Sequence, residues 1–378
     1  MNQHVVPRFV RILAAAGLLA ASGSGLTASA ASAGMRAGLT GSVSSLTVNG
    51  LSNAVAAASA SDAWAVGENQ AGVLIAEWNG QAWKIVPGPK RLPKAILNGV
   101  AVLSPRDAWA VGVTNLYQTL ILHWNGKSWS RVPSPNVRGE DELYGVAATS
   151  AGNAWAVGAA RTGEFTDTSI IEHWNGRAWE IVPDPKHLGT AILYGVTAPS
   201  ESDAWTVGDV ANSSALDTLT EHWNGHAWTL VPSPSASPAL LFGVAYAAPR
   251  SPWAVGDNAS KNLIERWTGS NWKEVPSPDP GAVADGLDGV AALSSSDAWA
   301  VGYSIAVQLG STKIVILHWN GTAWATTAAP SPGPNASTLT GVAAVSSRGA
   351  WAVGYTYVTN VTASYKTLIL RWNGSKWT

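Results

Sequence analysis

Short apolar runs alternate along the chain with clusters of glycine, proline, asparagine and aspartate. One unit of the pattern reads Leu97-Asn98-Gly99-Val100-Ala101-Val102, then Asp107-Ala108-Trp109-Ala110-Val111-Gly112. It continues Thr119-Leu120-Ile121-Leu122-His123-Trp124-Asn125-Gly126 and closes with Ser128-Trp129-Ser130-Arg131-Val132-Pro133. Each piece has the length, the apolar filling and the flanking turn residues of a β-strand. Long amphipathic stretches free of glycine and proline, which helices need, do not occur. The four strands of a unit are called a, b, c and d in chain order.

The unit recurs seven times, and tryptophan marks it. A strand-b tryptophan stands at Trp64, Trp109, Trp155, Trp205, Trp253, Trp299 and Trp351. A strand-c tryptophan stands at Trp78, Trp124, Trp174, Trp223, Trp267, Trp319 and Trp372, and a strand-d tryptophan always five residues later. These positions account for all 21 tryptophans of the chain. Four short strands per repeat of this period make one blade of a propeller. The expected fold is all-β: a seven-bladed β-propeller with four antiparallel strands per blade.

Asn-Gly follows the strand-c tryptophan in six copies, with Thr268-Gly269 in the fifth. A two-residue Asn-Gly loop of type I′ is the expected c–d connection. It pairs Trp124 with Lys127, His123 with Ser128, and Leu122 with Trp129. Strand d runs into Val-Pro-x-Pro, as in Val132-Pro133-Ser134-Pro135. Proline cannot donate to a ladder, so d is expected outermost. Strand a is small and glycine-rich, as a crowded axis requires, with Gly99, Gly145, Gly195, Gly243, Gly289 and Gly341 at one position and Ala54 in the first copy. Strand b also ends on glycine in every copy, and tryptophan opens every strand d.

With this period, and with those strand-b glycines and strand-d tryptophans, residues from about 40 to the end resemble the Kelch-type propellers, which include the central domain of galactose oxidase. The chain departs from that pattern in having Val-Gly where the family has Gly-Gly. It is also similar to exported bacterial proteins built from Trp-Asn-Gly repeats. The resemblance implies architecture and no particular chemistry.

Composition narrows the function classes. The 378 residues include no cysteine, which removes disulfides, thiolate metal sites and a cysteine nucleophile. The cross-linked tyrosine–cysteine pair of galactose oxidase is excluded for the same reason. With 23 Lys+Arg against 24 Asp+Glu there is no basic footprint for nucleic acid. Residues 1–33 read as a signal peptide: Arg8 and Arg11, an apolar run from Ile12 to Ala21, then small residues. Cleavage after Ala30 or after Ala33 fits equally. No later segment has the length of a membrane span. The expected product is secreted and monomeric, with an N-terminal segment at 34–50 and the propeller at 51–378. Ser42 to Val48 are expected to pair with the seventh blade and close the ring.

Length variation is concentrated between strands b and c, and these loops emerge on the same face as the d–a connections. Variable loops on a fixed scaffold are where function tends to lie. The candidate ligand-binding residues on that face are Glu142, Glu164, Asp167, Asp209, Tyr355 and Tyr357. The tryptophans are expected to pack between blades rather than to stack on sugars. His123, His173, His222 and His318 share one repeat position on four blades, so they do not converge on a metal. No metal and no cofactor is expected, and no catalytic residue is assigned. Asp62, Asp107, Asn153, Asp203 and Asp297 precede the strand-b tryptophan and are expected to tie a turn to its own backbone. The resulting expectation is a non-catalytic binding or scaffold module for an extracellular protein or glycan. The alternative is a lyase or glycosidase that uses the acidic loops of blades 3 and 4.

Overall fold

The computed structural model describes residues 46–137, 139–163, 166–187, 189–234, 237–247, 251–281, 283–306, 312–330, 336–358 and 364–378. The expected signal peptide and most of the segment at 34–50 lie outside the described residues. Among those residues there is no helix, and hence none long and apolar enough to cross a membrane. The strands form seven antiparallel sheets, in each of which spatial order equals chain order. The chain is a seven-bladed β-propeller. Blade 2 is representative, with a at Ala95–Ser104, b at Asp107–Thr114, c at Thr119–Trp124 and d at Trp129–Val132.

Strand a bulges at the same place in blades 2 to 7; in blade 2 the register shifts between Leu97 and Gly99. The bulge explains the invariant glycine that closes strand b. A Cβ on Gly112 would stand 2.0 Å from the Ile96 carbonyl oxygen, and one on Gly208 would stand 1.8 Å from that of Ile192. The strand-a glycines answer a different constraint, the approach of neighbouring blades at the axis. A Cβ on Gly289 would lie 3.0 Å from the Cα of Gly341 in the next blade.

The tryptophans fill the blade boundaries. Trp64 of blade 1 lies 4.8 Å from Trp124 and 5.1 Å, edge-on, from Trp129 of blade 2. The same triad recurs through Trp299, which meets Trp372 at 4.9 Å and Trp377 at 5.2 Å. Trp351 of blade 7 meets Trp78 of blade 1 at 6.4 Å, with Arg371 over both rings. Each triad excludes water from two large aromatic faces, and aromatic pairs add to the area term. The strand-c indoles also donate to a–b turn carbonyls, as Trp124 does to Pro105 at 3.1 Å.

The c–d connection differs from the expected two-residue turn. Trp124 pairs with Trp129, His123 with Ser130 and Leu122 with Arg131. The loop therefore holds four residues, Asn125 to Ser128. Gly126 has a positive φ of 86°, whereas Asn125 is not among the positive-φ residues. The Asn125 side chain accepts from the backbone N–H of Lys127 and Ser128 at 3.0 and 3.1 Å. An Asx turn thus replaces the type I′ turn, because the asparagine caps the loop with its carbonyl instead of adopting a left-handed backbone.

Blade 7 is completed from both ends of the described chain. Trp377 bridges Trp372, and Asn49 bridges Lys366 in antiparallel sense. The Thr367 N–H donates to Val48 O at 3.0 Å, and the Gly50 N–H donates to Tyr365 O at 2.9 Å. The Thr367 hydroxyl bonds Leu46 O at 3.1 Å and accepts from the Val48 N–H at 3.1 Å.

Candidate functional site

A repeat separates scaffold from specialisation, because positions that recur in every blade serve packing. The histidines belong to the scaffold. His123, His173, His222 and His318 each stack on the strand-b tryptophan of their own blade, with centroids 4.2–4.3 Å apart. The polar residue two before that tryptophan was expected to bind its own turn. Asp107, Asn153, Asp203 and Asp297 instead reach the histidine Nε2 at 2.6–2.9 Å. A carboxylate or amide thus holds the edge of the imidazole while its face lies on the indole.

Specialisation is found at the position immediately after the strand-b glycine. It is Val113 in blade 2 and Ala159 in blade 3, but Asp209, Asp257, Tyr303, Tyr355 and Glu68 in blades 4, 5, 6, 7 and 1. These side chains lie beside the start of strand a, at the end of the blade that carries the b–c and d–a loops. The strand-a partners are Ile192 for Asp209, Leu240 for Asp257, Gly286 for Tyr303 and Thr338 for Tyr355. Gly286 gives the Tyr303 phenol its place: a Cβ there would come within 2.8 Å of the hydroxyl.

The electrostatics join these residues into one cluster. Burial, followed by the charges of Asp288, Asp257 and Asp285, pushes the Tyr303 phenol up. Burial, Asp288 and Tyr365 do the same for Tyr355. Tyr365 is raised by burial and by Tyr357 and Glu68. Asp257 is buried, burial holds its carboxyl up at about 6, and its Oδ2 has no hydrogen-bond partner among the described residues. Tyr365 meets Tyr355 edge-on at 5.3 Å and Tyr357 at 5.4 Å. Acids and phenols from blades 5, 6, 7 and 1 thus follow one another as neighbours, from Asp257 through Tyr303 and Asp288 to Tyr355, Tyr365 and Glu68. Such a patch accepts hydrogen bonds from hydroxyl or ammonium groups and offers ring faces beside them.

The six expected residues divide accordingly. Tyr355 and Tyr357 belong to this patch through Tyr365. Asp209 occupies the equivalent position on blade 4 and is buried. Glu142 lies in strand a of blade 3, where it accepts from the Asn98 amide at 2.9 Å and the Tyr144 hydroxyl at 3.1 Å. Asp167 is held in the b–c hairpin of blade 3 by Arg161, 3.6 Å away, and Arg161 also pairs with Glu140 at 3.2 Å. Glu164 lies outside the described residues. Asp257, Asp288, Tyr303 and Tyr365 are not among the expected binding residues. The signal that would have found the strand-b members is the residue after each strand-b glycine, read down the seven copies.

Two further acidic groups lie within the blade boundaries. Glu172 is fully buried, and burial with the nearby Asp141 charge pushes it up to about 8. Glu221, also fully buried, faces Asp184 and His187 on the linker leaving blade 3.

No family profile and no curated protein sequence matches this chain. Solved structures do match its fold. A YCF48 protein bound to D1 peptide superposes with a TM-score of 0.56 at 16% identity, covering 88% of this chain and 99% of that one. An ulvan lyase of polysaccharide lyase family PL25, bound to -[GlcA(1-4)Rha3S]-, gives 0.57 at 10% identity, covering 87% and 95%. The GH74 xyloglucanase from Xanthomonas campestris gives 0.59 at 13% identity, covering 87% of this chain and 54% of that one. At these identities the likeness establishes the propeller, which binding proteins and carbohydrate-active enzymes share.

Proposed function

We propose that the chain is an exported, monomeric, non-catalytic recognition module. It takes an extracellular protein or glycan on the face that carries the b–c and d–a loops. The observation that supports this reading is the acid–tyrosine cluster. One repeat position that is aliphatic in blades 2 and 3 becomes Asp257, Tyr303, Tyr355 and Glu68 in blades 5, 6, 7 and 1. Asp257 and Tyr303 are buried, and a buried carboxyl or phenol is costly to a fold unless it is hydrogen-bonded. Kinship with the Kelch-type propellers is part of the same proposal, supported by the period and by the glycine and tryptophan positions.

A second reading, a carbohydrate-active enzyme, draws on Asp257. A carboxyl held near 6 beside the Tyr303 phenol has the poise of a general acid or base at neutral pH. This moves the enzymatic alternative from blades 3 and 4 to blades 5 and 6. The deciding experiment incubates the purified protein with cell-wall and plant polysaccharides and with extracellular protein extracts, and measures retention and products. Retention without new reducing or unsaturated ends, lost in Tyr303→Phe and Asp257→Asn, supports the module. New chain ends, lost in the same variants, establish the enzyme. Retention unchanged in both variants would remove the cluster from the reading.

A further inference from the structure

The boundary between blades 3 and 4 carries residues that neither packing nor the proposed ligand face explains. We propose that Asp184, His187 and Glu221 form a site for a divalent first-row transition ion, for which Zn2+ is the representative probe. Asp184 and His187 lie on the linker leaving strand d of blade 3, and Glu221 lies on strand c of blade 4. One ligand atom from each stands within 4.8 Å of the others. His187 Nε2 is 3.0 Å from Glu221 Oε1 and 3.6 Å from Asp184 Oδ2. Ligand atoms bound to one tetrahedral zinc at ~2.0–2.1 Å are about 3.3–3.4 Å apart. The two observed separations bracket that value.

The contacts lack the alignment of hydrogen bonds. His187 Nε2 and both carboxylate oxygens of the fully buried Glu221 have no hydrogen-bond partner among the described residues. The scaffold pairs behave differently: His123 Nε2 and Asp107 Oδ1 are 2.9 Å apart and form a proper hydrogen bond. Lone pairs that converge on a common point, rather than on one another, are what an ion requires. Two carboxylates and a neutral imidazole also balance a dication, which offsets the cost of burying Glu221. The Ser169 hydroxyl donates to Asp184 Oδ2, an outer contact of the kind that orients a ligating carboxylate. Gly88, Ser134, Ser233, Ser277 and Ala329 stand at the Asp184 position in other copies, so the carboxylate is particular to this boundary. Asp184 is the most exposed of the three, with 23% of its side-chain surface open.

The test is calorimetric titration of EDTA-stripped protein with ZnCl2, with Co2+ absorption as a second readout. The expected result is one equivalent bound and a visible d–d band of a low-coordinate Co2+ site. His187→Gln and Asp184→Asn should each weaken Zn2+ binding at least tenfold, while His123→Gln leaves it unchanged. Asp184 is accessible enough for its variant to fold, and circular dichroism checks both. Absence of heat and of a Co2+ band in the folded wild type would overturn the proposal and leave an ion-paired triad. Binding that persists equally in both variants would overturn it as well.

Discussion

His222 and Trp205 lie face to face across strands c and b of blade 4, their centroids 4.3 Å apart and their planes within 28° of parallel. The imidazole is fixed from behind by Asp203 at 2.9 Å. On its far side Trp205 meets Trp267 and Trp272 of the next blade at 4.8 and 5.3 Å. One indole is therefore held from its own blade and from the neighbouring one. Trp205→Ala is expected to cost about 3–5 kcal/mol, the range for truncating a buried large aromatic side chain. His222→Ala, which removes a half-exposed ring and one hydrogen bond, should cost about 1–2 kcal/mol. Chemical denaturation of both variants measures the difference; equal losses would contradict the assignment of Trp205 as the keystone.

Glu172 predicts a pH dependence of stability. Its folded carboxyl sits at about 8 against an ordinary 4.5, through burial first and the Asp141 charge second. Between these values the folded state keeps a proton that the unfolded chain has released. This contribution to stability is complete below pH 4.5 and is lost as pH rises towards 8. Glu172→Gln should raise the melting temperature at pH 8 and leave it nearly unchanged at pH 4.5. A constant difference across that range would show that Glu172 does not titrate with folding.

The strand-b glycines allow a sharp steric test. A methyl group on Gly208 meets the Ile192 carbonyl oxygen at 1.8 Å, which only backbone movement relieves. Gly208→Ala should therefore destabilise by more than about 3 kcal/mol, at the upper end for a single substitution. Gly139→Ala meets no atom within 4 Å, although its φ of 113° adds local strain. It should cost clearly less in the same thermal melts.

Ring closure is testable at Thr367. Its hydroxyl bonds Leu46 O and the Val48 N–H, and its backbone N–H donates to Val48 O. Thr367→Val should cost about 1–2 kcal/mol, because two hydrogen bonds go while the volume stays. Deleting residues 34–48 should lower the melting temperature further. An unchanged melting temperature after deletion would mean that blade 7 is held by its other contacts.

The fold was legible because packing repeats. Trp109 and Gly112 recur three residues apart and Trp124 and Trp129 five apart in every copy, and these positions correspond to a blade boundary or a bulge. The c–d register was misread, because Asn125 serves through its side chain, and dipeptide identity does not say whether side chain or backbone makes the turn. The candidate site was legible only in part. Tyr355 and Tyr357 stand out because the segment between strands b and c is longest in blade 7, although both lie in strand b itself, whereas Asp257 and Tyr303 look like ordinary strand residues until the copies are aligned on the preceding glycine. Asp167 was misleading in the opposite sense. It stands where the segment between strands b and c varies in length, yet it is paired in the hairpin with Arg161, which already engages it.

Tyr365 belongs to two structures at once. Its carbonyl accepts the Gly50 N–H that stitches the beginning of the propeller to its last blade. Its ring braces Tyr355 and Tyr357 in the acid–tyrosine cluster. The proposed ligand site is thus laid across the seam of the ring, with Glu68 on one side and Tyr355 on the other. On that proposal, occupancy and closure become a single linked equilibrium: a bound ligand would act as a clasp, and an opened seam would forfeit its affinity. A permuted chain whose ends are moved to a boundary away from this seam should keep the site and hold it more firmly.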